Sequence, residues 1–242
     1  MSKRLVIIAR YNENIEWVNQ LKDNILIYNK GDKFDYNFPR QDIPNIGREA
    51  ETFIRGIVDT YQSLNQYQSV IFLQGNPFEH CPNLFDFLNS IQELNSYVPL
   101  TKSITTHNLP EDGYILGNSL HIFERLIGNE KTKLECEIFD VAKNSYIKNE
   151  NELSEIMYIC TMLNLKYKSA KITWSTGAQY YVPVKFILNK SLYWWQEFHK
   201  LSILAHTYYD YQPFAYIVER IWPLIWEYSD LSLPEHYQDK VC

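Results

Sequence analysis

Residues 5–18, LVIIARYNENIEWV, decide the fold class of this chain. The run at 4–9 is apolar at nearly every position, which is typical of a strand buried on both faces of a parallel sheet. The run stops at a polar cluster, residues 10–13, and residues 14–22 then carry apolar side chains at the spacing of one helix face. This order predicts a strand–helix unit with its polar residues at the carboxyl end of the strand.

The first 95 residues repeat that order. Alternating strands and helices predict an α/β fold with a Rossmann-like, mostly parallel central sheet flanked by helices. The loop between the second strand and the second helix, residues 32–46, is polar and contains two prolines. The predicted strands are 4–9, 24–31 and 69–76, and the predicted helices are 14–22, 47–64 and 83–94.

The C-terminal half, from residue 96, is more elaborate and less regular. Residues 96–117 hold loops and room for one short strand, and 178–188 fits a strand or a strand followed by a helix from Val184. No repeat or low-complexity linker divides the chain, so one domain over 1–242 is expected. The remaining predictions are a strand at 170–175 and helices at 119–128, 150–164, 191–203 and 214–227, the last bent or ended near Pro223.

Composition excludes several classes of function. The net charge of −6 argues against binding to nucleic acid, whose phosphates need a basic surface. No apolar run approaches the roughly 20 residues of a membrane-spanning helix, and no signal peptide is visible. The four cysteines match no zinc pattern, which favours reduced thiols and a cytoplasmic location. The aromatic content of 15% fits either core packing or stacking on a sugar or base.

Two polar clusters are expected at one edge of the sheet, because the carboxyl ends of parallel strands meet there. They are residues 10–13 and residues 74–76; ordinary turn residues are the alternative. A third stretch, residues 45–55, begins a helix at Gly47, whose free N–H groups favour an anion, and Arg48 would add a charged contact. Alternatively, Gly47 only caps the helix and Arg48 is solvated.

The same stretches carry a resemblance. LVIIARYNE resembles the first strand of type-A glycosyltransferases, in which such a turn lies beside the nucleotide of the sugar donor. Together with four further stretches it resembles, in motif order, a glycosyltransferase-like family of unknown function with a type-A (GT-A) fold. Those stretches are NIGREAETFIRGIVDTY (45–61), SVIFLQGNPFEHC (69–81), GAQYYVPVKFIL (177–188) and VERIWPLIWE (218–227).

The resemblance implies an enzyme that moves a sugar from a nucleotide-sugar donor to a glycan or another hydroxyl acceptor. It divides the domain into a nucleotide-binding half, 1–95, and an acceptor-side half, 96–242, in which Gly177 allows close approach and Gln179 could bond a sugar hydroxyl. A strand with a glycine bulge is the alternative there. The residues implied on the donor side are Arg10, Tyr11, Asn12, Glu13, Gly47, Arg48, Gln74, Gly75 and Asn76.

The sequence departs from the type-A pattern at residues 74–76. These fall where the family usually has an Asp-x-Asp pair that holds Mn²⁺ or Mg²⁺, but Gln-Gly-Asn offers only neutral amides. Glu79 and His80 follow closely, so a metal stays open, although no metal ligand is assigned. Without a metal, arginines must neutralise the leaving diphosphate, and the candidates are Arg48, Arg55 and Arg220.

Glu219 is the predicted catalytic base. It lies in a helix that is apolar nearly all round, so burial should raise its pKa. Such a carboxylate can take the proton of the acceptor hydroxyl. A structural ion pair is the alternative for Glu219. For the whole chain, the alternative is a catalytically inactive module of the same fold that binds a glycan or a protein.

Overall fold

A computed structural model describes residues 3–34, 37–91, 94–101, 104–108, 159–160, 163, 165, 171–207 and 213–226. Its strands are β1 (Arg4–Arg10), β2 (Asn24–Asn29), β3 (Arg40–Asp42), β4 (Ser69–Gln74), β5 (Val98–Pro99), β6 (Ile104–Asn108), β7 (Lys171–Ser175) and β8 (Tyr180–Pro183). The α-helices among these residues are α1 (Arg48–Thr60), α2 (Leu84–Ser90), α3 (Val184–Leu188), α4 (Leu192–Thr207) and α5 (Pro213–Ile225). Short 3-10 helices cover Glu16–Gln20, Tyr61–Gln66 and Pro77–Glu79.

Six strands form the main sheet, in the order β3-β2-β1-β4-β8-β5. β1 lies between β2 and β4 and runs parallel to both, and β3 is parallel to β2. β8 runs antiparallel to β4 and to β5, so the sheet is mixed. The predicted α/β class with a mostly parallel sheet flanked by helices is therefore confirmed, while the reversal at β8 was not predicted. β6 and β7 pair separately as an antiparallel ribbon.

The apolar run of β1 is explained by burial on both faces of the sheet. Leu5 and Ile7 belong to one hydrophobic cluster with residues of α1, α4 and α5. Val6 and Ile8 belong to a second cluster with residues of α2. Successive side chains of a strand point to opposite faces, so a strand covered on both sides has no position for a polar residue.

Aromatic side chains fill much of the first cluster. Trp195, Trp222 and Trp226 are all at most 1% exposed, and the last two stack with ring centroids 5.2 Å apart. Trp195 lies 5.7 Å from Trp226, between α4 and α5. For these tryptophans the core-packing interpretation is confirmed.

The structure corrects some of the predicted boundaries and agrees with others. Residues 14–22 form only the short 3-10 helix Glu16–Gln20, and the predicted loop at 32–46 contains β3, which is polar and exposed and so carries no apolar pattern. Residues 178–188 form a strand and then a helix, the second of the two options considered. Pro223 lies inside α5, which continues to Ile225. The predicted helix at 119–128 and most of that at 150–164 lie outside the described residues.

One cysteine corrects the prediction of reduced thiols. Cys81 is buried and disulfide-bonded, whereas Cys160 is buried and free. Within the part of the chain that the structure describes, no helix combines the length and the apolar character needed to cross a membrane.

Candidate functional site

A cleft of about 290 Å³ opens where four elements meet. They are the first turn of α1, the last residue of β4, the turn that joins β7 to β8, and α5. This position lies beside the carboxyl end of β4, where ligands bind in open α/β sheets. Polar side chains that line the cleft include Arg48, Glu49, Gln74, His80, Glu219 and Arg220.

Glu219 projects from α5 into this cleft. Its Oε1 accepts a hydrogen bond of 2.9 Å from the backbone N–H of Gly177. Burial raises the pKa of the Glu219 carboxyl above its usual value, although the Gly177 bond and the Arg220 charge oppose part of the shift. A desolvated carboxylate of this kind holds a proton more strongly than an exposed one, which suits a general base.

Gly177 occupies a position that only glycine fits well. Its φ of +96° lies in the left-handed region, and a Cβ there would be 2.4 Å from Cγ of His80. The imidazole of His80 therefore packs directly on the Gly177 backbone. The backbone N–H of Gly177 donates its hydrogen bond to Glu219. The close approach predicted for Gly177 is thus made by a histidine of the protein itself.

Two arginines line the cleft on either side of Tyr216. The Arg48 guanidinium stacks on the Tyr216 ring, 4.8 Å from its centroid, and donates a hydrogen bond to the Tyr216 hydroxyl. Arg220 donates a 2.8 Å bond to the backbone carbonyl of Tyr216. The side chain of Arg48 is 50% exposed and lies 3.6 Å from the Glu49 carboxylate, so an anionic ligand that binds Arg48 competes with that ion pair.

Sequence reasoning missed Tyr216, although a signal was present. Residues three and four apart on a helix share a face, so Tyr216 lies on the same face as Glu219 and Arg220. An aromatic residue at that spacing before the predicted base could have been included in the site. It is 42% exposed at the cleft.

Arg10 is the last residue of β1 and lies outside the cleft. It is only 8% exposed, and its guanidinium stacks on Phe34, 4.2 Å from the ring centroid. Its hydrogen bonds tie the end of β1 to the end of β2 and to the loop that follows. The acceptors are Oδ1 of Asn29 and the backbone carbonyls of Tyr11, Glu13 and Asp32.

The two polar clusters at the strand ends do meet, as the shared edge predicted. A Cβ on Gly75 would lie 2.4 Å from Oε2 of Glu13, and that carboxylate accepts a 2.7 Å bond from the Tyr11 backbone. Trp17 donates a 2.9 Å bond from its indole N–H to the Gly75 carbonyl. The contact between the clusters is thus closed by the protein's own side chains.

Five of the predicted site residues line the cleft: Arg48, Gln74, Gly177, Glu219 and Arg220. The others lie outside it, and their roles stay predictions. Gln179 has no exposed surface and donates to the Pro77 carbonyl at 3.1 Å, so its amide faces the interior. The remaining predicted residues outside the cleft lining are Arg10, Tyr11, Asn12, Glu13, Gly47, Gly75, Asn76 and Arg55, whose guanidinium group pairs with Glu51 at 2.7 Å.

The described residues that line the cleft do not supply the ligands of a bound Mn²⁺ or Mg²⁺. Such hard cations require several oxygen ligands, with carboxylates among them. In the described ranges no group of three or more His, Cys, Asp or Glu side chains converges on a point that could hold a metal ion. Glu79 is exposed and does not line the cleft, whereas Gln74 and His80 do.

Residues 5–242 match the family described as "Protein of unknown function (DUF3431)". The chain belongs to this family. No curated protein and no solved structure matches it. In this DUF3431 member, the cleft brings together two guanidinium groups, the Glu49 carboxylate and the desolvated carboxyl of Glu219.

Proposed function

We propose that this protein transfers a sugar from a nucleotide-sugar donor to a glycan or another hydroxyl acceptor, without a metal ion. One observation carries the proposal. The cleft combines a carboxyl of raised pKa, Glu219, with two arginines, Arg48 and Arg220, that can face a diphosphate. Sugar transfer from such donors needs a base for the acceptor and positive charge for the leaving group.

The sheet supports the finer assignment to the type-A glycosyltransferase fold. Its first four strands have the order 3-2-1-4, which also begins the dinucleotide-binding folds. That order leaves the carboxyl ends of β1 and β4 side by side, with Ala9 opposite Gln74. Gln74 then enters the cleft directly from the end of β4.

The proposed reaction divides its work among three side chains. Arg48 and Arg220 hold the donor diphosphate and stabilise the negative charge that grows on it. Glu219 takes the proton of the acceptor hydroxyl as the acceptor oxygen bonds to the anomeric carbon. The bond from that carbon to the diphosphate breaks, and the nucleoside diphosphate leaves with the electron pair. These steps describe the inverting form of the reaction.

The cytoplasmic location predicted from the sequence stays a prediction, and one observation argues against it. Disulfides persist in oxidising compartments and are rare in the cytoplasm. Cys81 is disulfide-bonded. We therefore propose an oxidising compartment as the alternative location for the transferase.

A second candidate is a module of the same fold that binds a glycan or a protein without catalysis. The departure from Asp-x-Asp at residues 74–76 favours it, together with the poor fit of the described cleft to a divalent ion. In this candidate Tyr216, which is 42% exposed at the cleft, would stack on a sugar ring.

A thermal-shift screen tests the proposal. UDP-, GDP- and CMP-sugars are added with Mn²⁺ or with EDTA, and donor hydrolysis is followed in parallel. A donor at about 100 times its Kd should raise the Tm by roughly 5–10 °C, because it binds only the native state. We expect the rise in EDTA as well as in Mn²⁺. A rise that requires Mn²⁺ would refute the metal-independent reaction.

Substitution of Glu219 separates the two candidates. Glu219→Gln should keep the donor-induced Tm rise and lower kcat by at least about 100-fold, because a general base is lost. Glu16→Gln is the matched control, since Glu16 is exposed and outside the cleft, and it should leave both quantities unchanged. No Tm rise with any donor, together with no hydrolysis of those donors, excludes the enzyme. A Tm rise with glycans, without turnover of any donor, supports the binding module.

A further inference from the structure

The turn that carries Arg48 into the cleft has an unusual backbone. Gly47 and Arg48 both have positive φ, +64° and +49°. Glycine adopts this region freely, but an arginine there is strained and persists only where neighbouring groups hold it. A Cβ on Gly47 would lie 2.4 Å from Cβ of Glu51, so the turn also packs tightly on α1.

The side chain of Lys30 binds the backbone of this turn. It follows β2 directly, and its side chain is only 5% exposed. Its ammonium group donates to the backbone carbonyl of Ile46 and, at 2.6 Å, to that of Arg48. It also pairs with Oε2 of Glu51 at 3.0 Å. The ammonium group thus bonds one backbone carbonyl on each side of Gly47 and forms an ion pair with Glu51.

Glu51 is in turn held from two other directions. Its carboxylate has no exposed surface, and Oε1 pairs with Arg55 at 2.7 Å along α1. The same oxygen lies 2.9 Å from Nε2 of His199, on α4. The position of the Lys30 ammonium is therefore fixed by two helices, and through it the two carbonyls of the turn are fixed as well.

We propose that Lys30 is the positioning residue that sets Arg48 in the cleft. It acts through the backbone: its ammonium draws the carbonyls of Ile46 and Arg48 together and holds the left-handed turn between them. The Arg48 side chain then leaves the turn toward Tyr216 and the ligand. The binding consequence rests on the proposed function, in which Arg48 contacts the donor diphosphate.

The test compares two variants that each remove one cation from the same carboxylate. Lys30→Met loses the contacts with the turn, whereas Arg55→Met breaks an ion pair with Glu51 and leaves the turn's carbonyls bonded. Isothermal titration with inorganic pyrophosphate and with UDP measures binding. We expect the Kd to rise about tenfold in Lys30→Met and less than about twofold in Arg55→Met. Equal losses in both variants overturn the proposal, because they indicate general destabilisation.

A double-mutant cycle tests whether Lys30 acts through Arg48. In an Arg48→Met background, Lys30→Met should change the Kd no further, because the side chain that it positions is already gone. An additive loss would show that Lys30 affects the ligand by another route. If Lys30→Met does not fold, Lys30→Gln replaces it in the same cycle with the same expectations.

A measurement without ligand keeps this proposal separate from the proposed function. The side-chain Nε–Hε signal of Arg48 in a ¹H–¹⁵N NMR spectrum is assigned by its loss in Arg48→Met. Lys30→Met should shift this signal toward the position of a freely rotating arginine, and Arg55→Met should leave it in place. An unchanged signal in Lys30→Met overturns the positioning role. Failure of the wild-type protein to bind either probe, with the signal shifted as expected, overturns the diphosphate site alone.

Discussion

Replacement of Gly177 by alanine tests the geometry of the cleft most directly. A Cβ at this position would lie 2.4 Å from Cγ and 2.8 Å from Nδ1 of His80. Carbon atoms in contact are about 3.5–4.0 Å apart, so the imidazole must move by about 1 Å. Displacing the ring from its rotamer costs about 0.5–1.5 kcal/mol. The φ of +96° adds about 1–2 kcal/mol for any residue with a side chain.

Gly177→Ala should therefore lower the free energy of unfolding by about 1.5–3.5 kcal/mol, the sum of these two costs. For a chain of this length that corresponds to a Tm decrease of roughly 3–14 °C, which differential scanning calorimetry can measure. The neighbouring Ala178 is the matched control, because its φ of +43° is also left-handed. Ala178→Gly relieves strain and should leave the Tm unchanged or raise it by a few degrees.

The His80→Ala background separates the two contributions. Without the imidazole, Gly177→Ala keeps only the backbone cost, so the loss should shrink to about 1–2 kcal/mol. A loss of the same size in both backgrounds would show that the ring does not pack on Gly177. A loss below about 0.5 kcal/mol in the wild-type background would contradict the left-handed conformation itself.

Three further predictions concern ionisation and redox state. Burial alone would raise the pKa of Glu51, but its bond with His199 and two neighbouring cations lower that pKa to about 2. Its contribution of about 3 kcal/mol should be complete above pH 4.5 and lost as the pH falls toward 2, and urea unfolding at several pH values should show a smaller acid loss in Glu51→Gln. Burial raises the pKa of Glu219, so the pH dependence runs in the opposite direction. The contribution of Glu219 to the free energy of unfolding is complete below pH 4.5 and is lost as the pH rises through the folded pKa, and Glu219→Gln should remove that loss. Alkylation of the denatured protein should add two more labels after reduction than before, and Cys81→Ser should abolish the difference.

The sequence predicted the centre of the sheet better than its edges. β1, β2 and β4 are recognisable in the sequence as apolar runs with clear ends. Most side chains on both faces of these strands are wholly or partly buried, which favours apolar residues. β3 pairs with β2 through the backbone, but its three residues are polar and exposed, so its side chains carry no apolar signal. The direction of β8 was also unpredictable, since a buried strand has the same composition whether it runs parallel or antiparallel to its neighbour.

The candidate site shows a different limit. A polar cluster after a buried strand was expected to face a ligand. Arg10 instead donates its hydrogen bonds to Asn29 and to nearby backbone carbonyls. Where strands end, their last carbonyls lose their partners in the sheet, and a buried carbonyl must be bonded by something. An arginine at that place satisfies several carbonyls at once. Residue type and spacing cannot show whether an arginine binds its own backbone or a ligand.

The burial of Glu219 could be predicted from the sequence, because it depends on the apolar neighbours of Glu219 and not on the orientation of the helix. A carboxylate among apolar residues on all sides of a helix must be desolvated, whichever way that helix is turned. Its partners could not be found in this way, because Gly177 and Arg48 come from distant stretches that only the fold brings to α5. The identity of a single perturbed group can thus be predicted from local sequence, while the chemistry of the cleft depends on long-range contacts such as the turn held by Lys30.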